Sequence, residues 1–324
     1  MTTLNYLKDL TAPQTRDLSD SQMSSLEAKL VKALTGPGPA GLGLQVVVGA
    51  WSGQSAPIAE ARKIHAERQG KKIFPLVVAL EDARGNVGLM GASGDTSPVG
   101  PVPGSQAVRI LQAGLDEPSG LRGRQRISHL LKGFATTEVA GMNNSGLFAT
   151  HYLVDGARQT PQWAAAAAEA APWLGLRGEK LISAMGFTAR RAANAAHILT
   201  TKDSNEPRAA AVLLSEEESF DSASPRFAVS PVSFGLNLAK REGADWLMVL
   251  RGSQIRLYPA KPGVGVGSRG LAETYFELDL ALLSEDEAGF LGMVFSATAL
   301  SPGGTIELLL EGSDRYATGL GERL

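Results

Sequence analysis

Apolar positions along the chain alternate between helical and strand spacing. Met23, Leu26, Leu30 and Leu34 recur at steps of three and four, which predicts a helix over 20–34. Gly36-Pro37-Gly38-Pro39 ends it, because proline lacks a donor and glycine is conformationally loose. Residues 42–51, centred on Val46, Val47 and Val48, predict a buried strand. Ser55 caps a predicted helix over 57–69, whose first turn tolerates Pro57. A strand over 73–80, a polar turn over 81–86 and a strand over 87–90 follow. Residues 91–104, with three prolines and four glycines, predict a loop, and 106–115 and 121–131 predict helices. The glycine-bounded stretch 141–146 predicts a loop leading into 147–153. This alternation indicates an α/β lobe over 1–160, with a boundary near Thr160-Pro161.

A second α/β lobe over 161–324 opens with helices predicted at 162–173 and 177–185, then strands at 195–200 and 209–214. Residues 215–224 are hydrophilic and predict an exposed loop, and 231–241 predict a helix. Residues 246–250 and 254–258 flank a glycine turn and predict a hairpin. Residues 273–280 alternate, with Phe276, Leu278 and Leu280 on one face and Tyr275, Glu277 and Asp279 on the other, which predicts a half-buried strand. Helices are expected over 286–300 and 306–320. The second lobe is therefore expected to be a mixed sheet with helices.

Length and composition change this picture little. The 324 residues suit two domains, and 44% hydrophobic with 20% charged residues is ordinary for a globular chain. The lack of cysteine removes disulfides, thiolate-ligated metals and thiol nucleophiles, and fits a reducing cytoplasm. No run approaches the ~20 apolar residues of a membrane helix, so no membrane partner is expected. A net charge of −2 leaves DNA binding, if present, to a local basic patch.

The order Ser230-Pro231-Val232, a helix, Trp246-Leu247-Met248-Val249-Leu250, Ile255-Arg256-Leu257-Tyr258, Tyr275-Phe276-Glu277-Leu278-Asp279-Leu280 and Phe295-Ser296-Ala297 carries a resemblance. It resembles the region ahead of the methylase core in large bacterial N-6 adenine DNA methyltransferases, including fused type IIG restriction enzymes and phage-defence methylases. Gly141-Met142-Asn143-Asn144-Ser145-Gly146-Leu147-Phe148-Ala149-Thr150-His151-Tyr152 is similar to a further stretch of the same proteins. The resemblance implies an N-terminal, non-methylating region with a degenerate restriction-nuclease-like second lobe. The family's Asn/Asp-Pro-Pro-Tyr/Phe tetrapeptide is absent from the sequence, so S-adenosylmethionine is expected only in a separate methylase part. Residues 321–324 read as part of a continuing helix, so the chain is expected to be a piece of a longer protein or one subunit of a split system.

In restriction enzymes this region often holds a Mg²⁺ nuclease, with an Asp at one strand end and Glu-x-Lys on the next strand. The corresponding strand here reads Ala209-Ala210-Ala211-Val212-Leu213-Leu214. Asp203, Glu216 and Glu218 are the remaining catalytic candidates for a rearranged nuclease; Glu206, Glu217 and Asp221 lie nearby, with Lys202 as the only nearby lysine. The bland alternative is a solvated acidic loop. Arg122, Arg124, Arg126 and Lys132 form the densest basic cluster and are the DNA-binding candidates; Arg62, Lys63, Arg68, Lys71 and Lys72 form a second cluster. A solvated helix surface is the alternative for both.

His151, beside Asn143 and Asn144, is the most site-like histidine, while His65, His129 and His197 show no ligand spacing, so no metal site is expected. The glycine-rich stretch 263–267 reads as a mobile loop. Trp163 and Trp173 either stack on exposed bases or wedge helices together. Three readings follow. The first is a non-catalytic DNA-recognition or assembly module whose partners are double-stranded DNA, a methylase domain or subunit, and other defence-system proteins. The second is a Mg²⁺-dependent endonuclease domain of the same system. The third is a protein–protein interaction module without a nucleic-acid role.

Overall fold

One parallel step set among antiparallel ones organises each half of this mixed α/β chain. The computed structural model describes residues 4–18, 28–39, 42–53, 57–69, 75–92, 98–267 and 269–321. The chain divides into two compact units, Met1–Ala135 and Thr136–Leu324.

In the first unit, β1 (Gln14–Asp17), β2 (Ala28–Thr35), β3 (Gln45–Trp51), β4 (Leu76–Glu81), β5 (Asn86–Met90) and β6 (Val99–Pro103) are neighbours in that order. The parallel pair β3–β4 is joined through α1 (Ile58–Gln69), since parallel strands need a crossover. Ala61 and Ile64 of α1 pack with Leu30, Ala33, Val47, Val78 and Leu80 of the sheet. Helices α2 (Gly104–Leu115) and α3 (Gly120–Thr137) follow. The buried Glu81 carboxylate accepts hydrogen bonds from the backbone N–H groups of Asn5, Tyr6 and Leu7 at 2.8–3.2 Å, fixing the N-terminal turn.

Two expectations fail here. The helix expected over 20–34 is, in its described part, strand β2; residues 19–27 lie outside the described residues. Of the four positions behind the helical reading only Leu30 and Leu34 are described; both are buried in the strand, but only Leu30 belongs to the core that holds Ala61 and Ile64 of α1. A bulge between Leu30 and Lys32 shifts the register, so Ala28, Leu30 and Ala33 share the face packed on α1. The loop expected over 91–104 contains β6, whose two prolines suit an edge strand with one hydrogen-bonded side. Ser55 also lies outside the described residues.

In the second unit the sheet order is β7-β13-β12-β11-β10-β9-β8. The strands are β7 (Met142–Ser145), β8 (Phe187–Arg191), β9 (Ala196–Thr201), β10 (Ser204–Leu214), β11 (Trp246–Arg251), β12 (Gln254–Pro259) and β13 (Tyr275–Asp279). The helices are α4 (Trp163–Ala170), α5 (Gly178–Ala184), α6 (Pro231–Glu242), α7 (Gly289–Phe295) and α8 (Thr305–Gly321). Residues 136–160 belong to this unit rather than to the first, because β7 is hydrogen-bonded to β13. A boundary at 160 would cut that strand from its sheet.

Helix α6 crosses between the parallel strands β10 and β11. Ser230 Oγ accepts the Ser233 N–H at 3.1 Å, Pro231 occupies the first turn, and Gly243, at φ +73°, ends the helix in a left-handed conformation. Leu247, Val249 and Tyr258 face α6, whereas Met248, Ile255, Leu257, Phe276 and Leu278 face the layer built by α7 and its neighbours. Each fully buried aliphatic or Phe side chain contributes about 1.5–3 kcal/mol. Among the described residues no helix is long and apolar enough to cross a membrane.

Candidate functional site

The hairpin β11–β12 and strand β13 put Arg256 directly opposite Glu277. The alternation that turns Ile255, Leu257, Phe276 and Leu278 into one core turns Arg256, Tyr258, Tyr275 and Glu277 to the other face. That face is covered. Glu277 is 2% exposed and Asp279 0% exposed, so the strand expected to be half-buried is buried on both sides at these positions.

The Arg256 guanidinium is enclosed. Its Nε donates to a Glu277 carboxylate oxygen, and its Nη1 donates to Asp221 Oδ2 and to Tyr258 Oη, each at 3.2 Å. Phe220 lies over it with the ring centroid 3.9 Å from Cζ, and Tyr275 does so at 4.6 Å. Burial works against the Arg256 charge, but Glu277 and the two tyrosines outweigh it and hold the pKa above its ordinary value. Burial also raises the hydroxyl pKa of Tyr258 and Tyr275. Both phenols therefore act as neutral hydrogen-bonding groups rather than as bases.

Asp221 and Tyr275 also line a cleft of about 600 Å³, with Ser145, Ser230, Ser233, Arg269 and Glu273 among its other walls. Arg269 donates to Ser145 Oγ at 2.9 Å, and that hydroxyl donates to the Glu273 carbonyl at 2.7 Å. Asn143 Nδ2 donates to Tyr275 Oη at 3.4 Å. A cleft of this size with an aromatic wall and both signs of charge can bind a polar ligand. None of the four histidines lines it.

The segment expected as an exposed loop anchors this site. Phe220 is buried and lies beneath both Arg251 and Arg256. Glu218 accepts from Ser215 N at 2.9 Å, Ser224 Oγ at 3.2 Å and Arg226 at 2.6 Å, so it braces the loop.

The nuclease candidates do not converge. Asp203 sits in the turn before β10, and Glu216 and Glu218 follow its far end. The 11 residues of β10 span roughly 30 Å at about 3.3 Å each. Carboxylates sharing one Mg²⁺ each lie about 2.0–2.1 Å from it. Among the described residues no group of three His, Asp or Glu side chains could hold a metal ion.

The basic cluster on α3 is split by helix geometry. At about 100° per residue, Arg122 and Arg126 share one flank while Arg124 points nearly opposite. Arg122 pairs with Glu117 at 3.3 Å. Arg124 lines a pocket with Pro39, Leu42, Pro75 and Leu121. The exposed crest of the helix carries Lys132 among Leu121, Gln125, Ala135 and Thr136. In the second cluster, Arg62 and Lys63 are exposed on α1, and Lys71 and Lys72 lie outside the described residues.

The other candidates resolve into structural roles. His151 pairs with Asp155 at 3.2 Å on the surface, and Asn144 holds its turn through Phe148 and Thr150. His197 is buried with Nε2 3.3 Å from Glu179. Trp163 packs edge-on to Phe290 at 4.7 Å and Trp173 is buried, so both wedge helices rather than present rings to bases. The glycine loop 263–267 is tied back by Val266 N–H to the Gly146 carbonyl at 2.9 Å.

Neither the Arg256–Glu277 pair nor the cleft stood out in the sequence as a site. The available signal was an arginine in mid-strand between apolar neighbours, facing a glutamate on an alternating strand. Compared with protein-family models, curated proteins and solved structures, the chain matches none.

Proposed function

We propose that the chain is a non-catalytic DNA-recognition or assembly module of a bacterial restriction-modification or phage-defence methyltransferase system. One observation supports this reading above the others. The strand segments that carry the resemblance are consecutive neighbours β7-β13-β12-β11, beside a β10 that reads Ala209-Ala210-Ala211 where a nuclease carries its acid and lysine. The partners on this reading are duplex DNA and a methylase domain or subunit acting with other defence proteins in the cytoplasm. S-adenosylmethionine belongs to the methylase part.

On α3 the phosphate contacts fall to Arg122 and Arg126 on one flank and to Lys132 on the exposed crest, and not to Arg124. In a gel-shift series the parent chain binds duplexes of any sequence at low salt. The Arg122→Ala/Arg126→Ala variant flattens the log–log salt dependence by roughly 0.9 per lost contact, while Arg124→Ala leaves it unchanged. No binding to duplex, and no co-elution with the neighbouring gene products, overturns the proposal. Plasmid cleavage with Mg²⁺ or Mn²⁺ that disappears on Asp203→Ala or Glu216→Ala would establish the endonuclease instead.

A further inference from the structure

A separate recess lies on the sheet of the first unit, independent of the cleft beside Arg256. Strand register builds its floor. Gln14 pairs with Thr35, and Thr35 pairs with Gln45, which sets three polar side chains in one row across β1, β2 and β3. Two residues further along β1 comes Arg16, opposite Ala33, whose neighbour Val47 belongs to the apolar core beneath α1. Arg68 stands one turn beyond Ile64 on the same face of α1, so it reaches out over the rim of that core. The recess between these groups measures about 340 Å³.

Two features separate this place from an ordinary basic surface. Both charged side chains lining it are arginines, with no acidic side chain among its described walls. The Arg68 Nε is buried and has no hydrogen-bond partner among the described residues. Burial and the neighbouring Arg16 charge both push the Arg68 pKa down. A protein gains nothing in stability from holding two guanidinium groups together with a buried donor unmet.

We propose that this recess binds a phosphate-type oxyanion between Arg16 and Arg68. Planar guanidinium forks match phosphate oxygens two at a time. Gln14, Thr35 and Gln45 offer amide and hydroxyl donors on another side, and a tetrahedral oxyanion has acceptor oxygens for both sets. The volume exceeds that of bare phosphate and admits a phosphomonoester or one nucleotide phosphate.

Titration calorimetry of the full chain with inorganic phosphate, against chloride at matched ionic strength, tests the proposal. Saturable binding at one equivalent is expected, at least tenfold weaker in Arg16→Gln and lost in Arg68→Met. Arg16 is exposed, so its variant retains the fold and keeps the test decisive if Arg68→Met does not fold. Phosphate behaving as chloride does, or binding unchanged in Arg16→Gln, overturns the site. A short DNA duplex that displaces phosphate identifies nucleic acid as the source of the phosphoryl group. A duplex that does not displace it identifies a small phosphomonoester.

Discussion

Arg256 withdraws its guanidinium from water and Arg68 its Nε, but in opposite company. Arg256 has Glu277, Asp221 and Tyr258 as hydrogen-bond partners and lies against Phe220 and Tyr275. Arg68 has a buried Nε without a partner among the described residues and a second arginine nearby. A fully compensated buried charge belongs to the architecture, because removing either partner strands the other. An undercompensated charge at a recess is arranged for something that arrives from outside.

The largest expected effect breaks the compensated side. Glu277→Gln leaves Arg256 buried with only the exposed Asp221 as a counter-charge, and should cost about 3–5 kcal/mol in urea unfolding. Replacing both members, Arg256→Met with Glu277→Leu, should cost less than either single change, because no uncompensated charge remains. A double variant at least as unstable as the sum of the singles would show that the pair does not act as a unit.

A carboxylate in the first unit gives the next effect. Glu81→Ala leaves the N–H groups of Asn5, Tyr6 and Leu7 without their acceptor and should cost about 1–3 kcal/mol. Amide exchange of residues 5–7 should accelerate with it.

Acidification gives a smaller effect. Burial pulls the His65 pKa below 6.5, outweighing its hydrogen bond to the Leu76 carbonyl at 3.2 Å. The unfolded chain therefore takes up its proton at the higher pH. The stability linked to His65 is complete above pH 6.5 and is lost as pH falls from there through the lowered folded value. His65→Gln should remove this slope from unfolding measured between pH 7.5 and about 5.

The smallest change is expected at Arg68. Without phosphate, Arg68→Met should alter stability by no more than about 0.5 kcal/mol, because no hydrogen bond of its Nε is lost. A loss comparable to that of Glu277→Gln would place Arg68 in the architecture and erase the contrast.

The elements legible in the sequence were those whose signals are local. Helix α6 was legible over 231–241, β11 and β12 as short runs around a glycine turn, and β13 through its alternation. Strand β7 was not legible: Met-Asn-Asn-Ser looks like a turn, and only its distant pairing with β13 makes it a strand. Strand β2 was misread because Leu30 and Leu34, four apart as on a helix, are buried on opposite faces of a strand covered on both sides. The buried pair was missed for a different reason. Alternation told which residues of β13 share a face, but the cover on that face comes from Phe220 and α6, outside the strand's own pattern. On α3 the helix sets Arg124 opposite Arg122 and Arg126, since adjacency in sequence is not adjacency on a helix.

Pairing β7 with β13 also imposes an order in time. Ser145 meets Tyr275, and at about 5–20 residues per second a ribosome needs on the order of ten seconds to deliver the second after the first. During that interval the Met142–Ser145 segment has no sheet to join. A variant that slowed translation between them would lengthen this wait, and would raise misfolding without changing a single bond of the finished molecule.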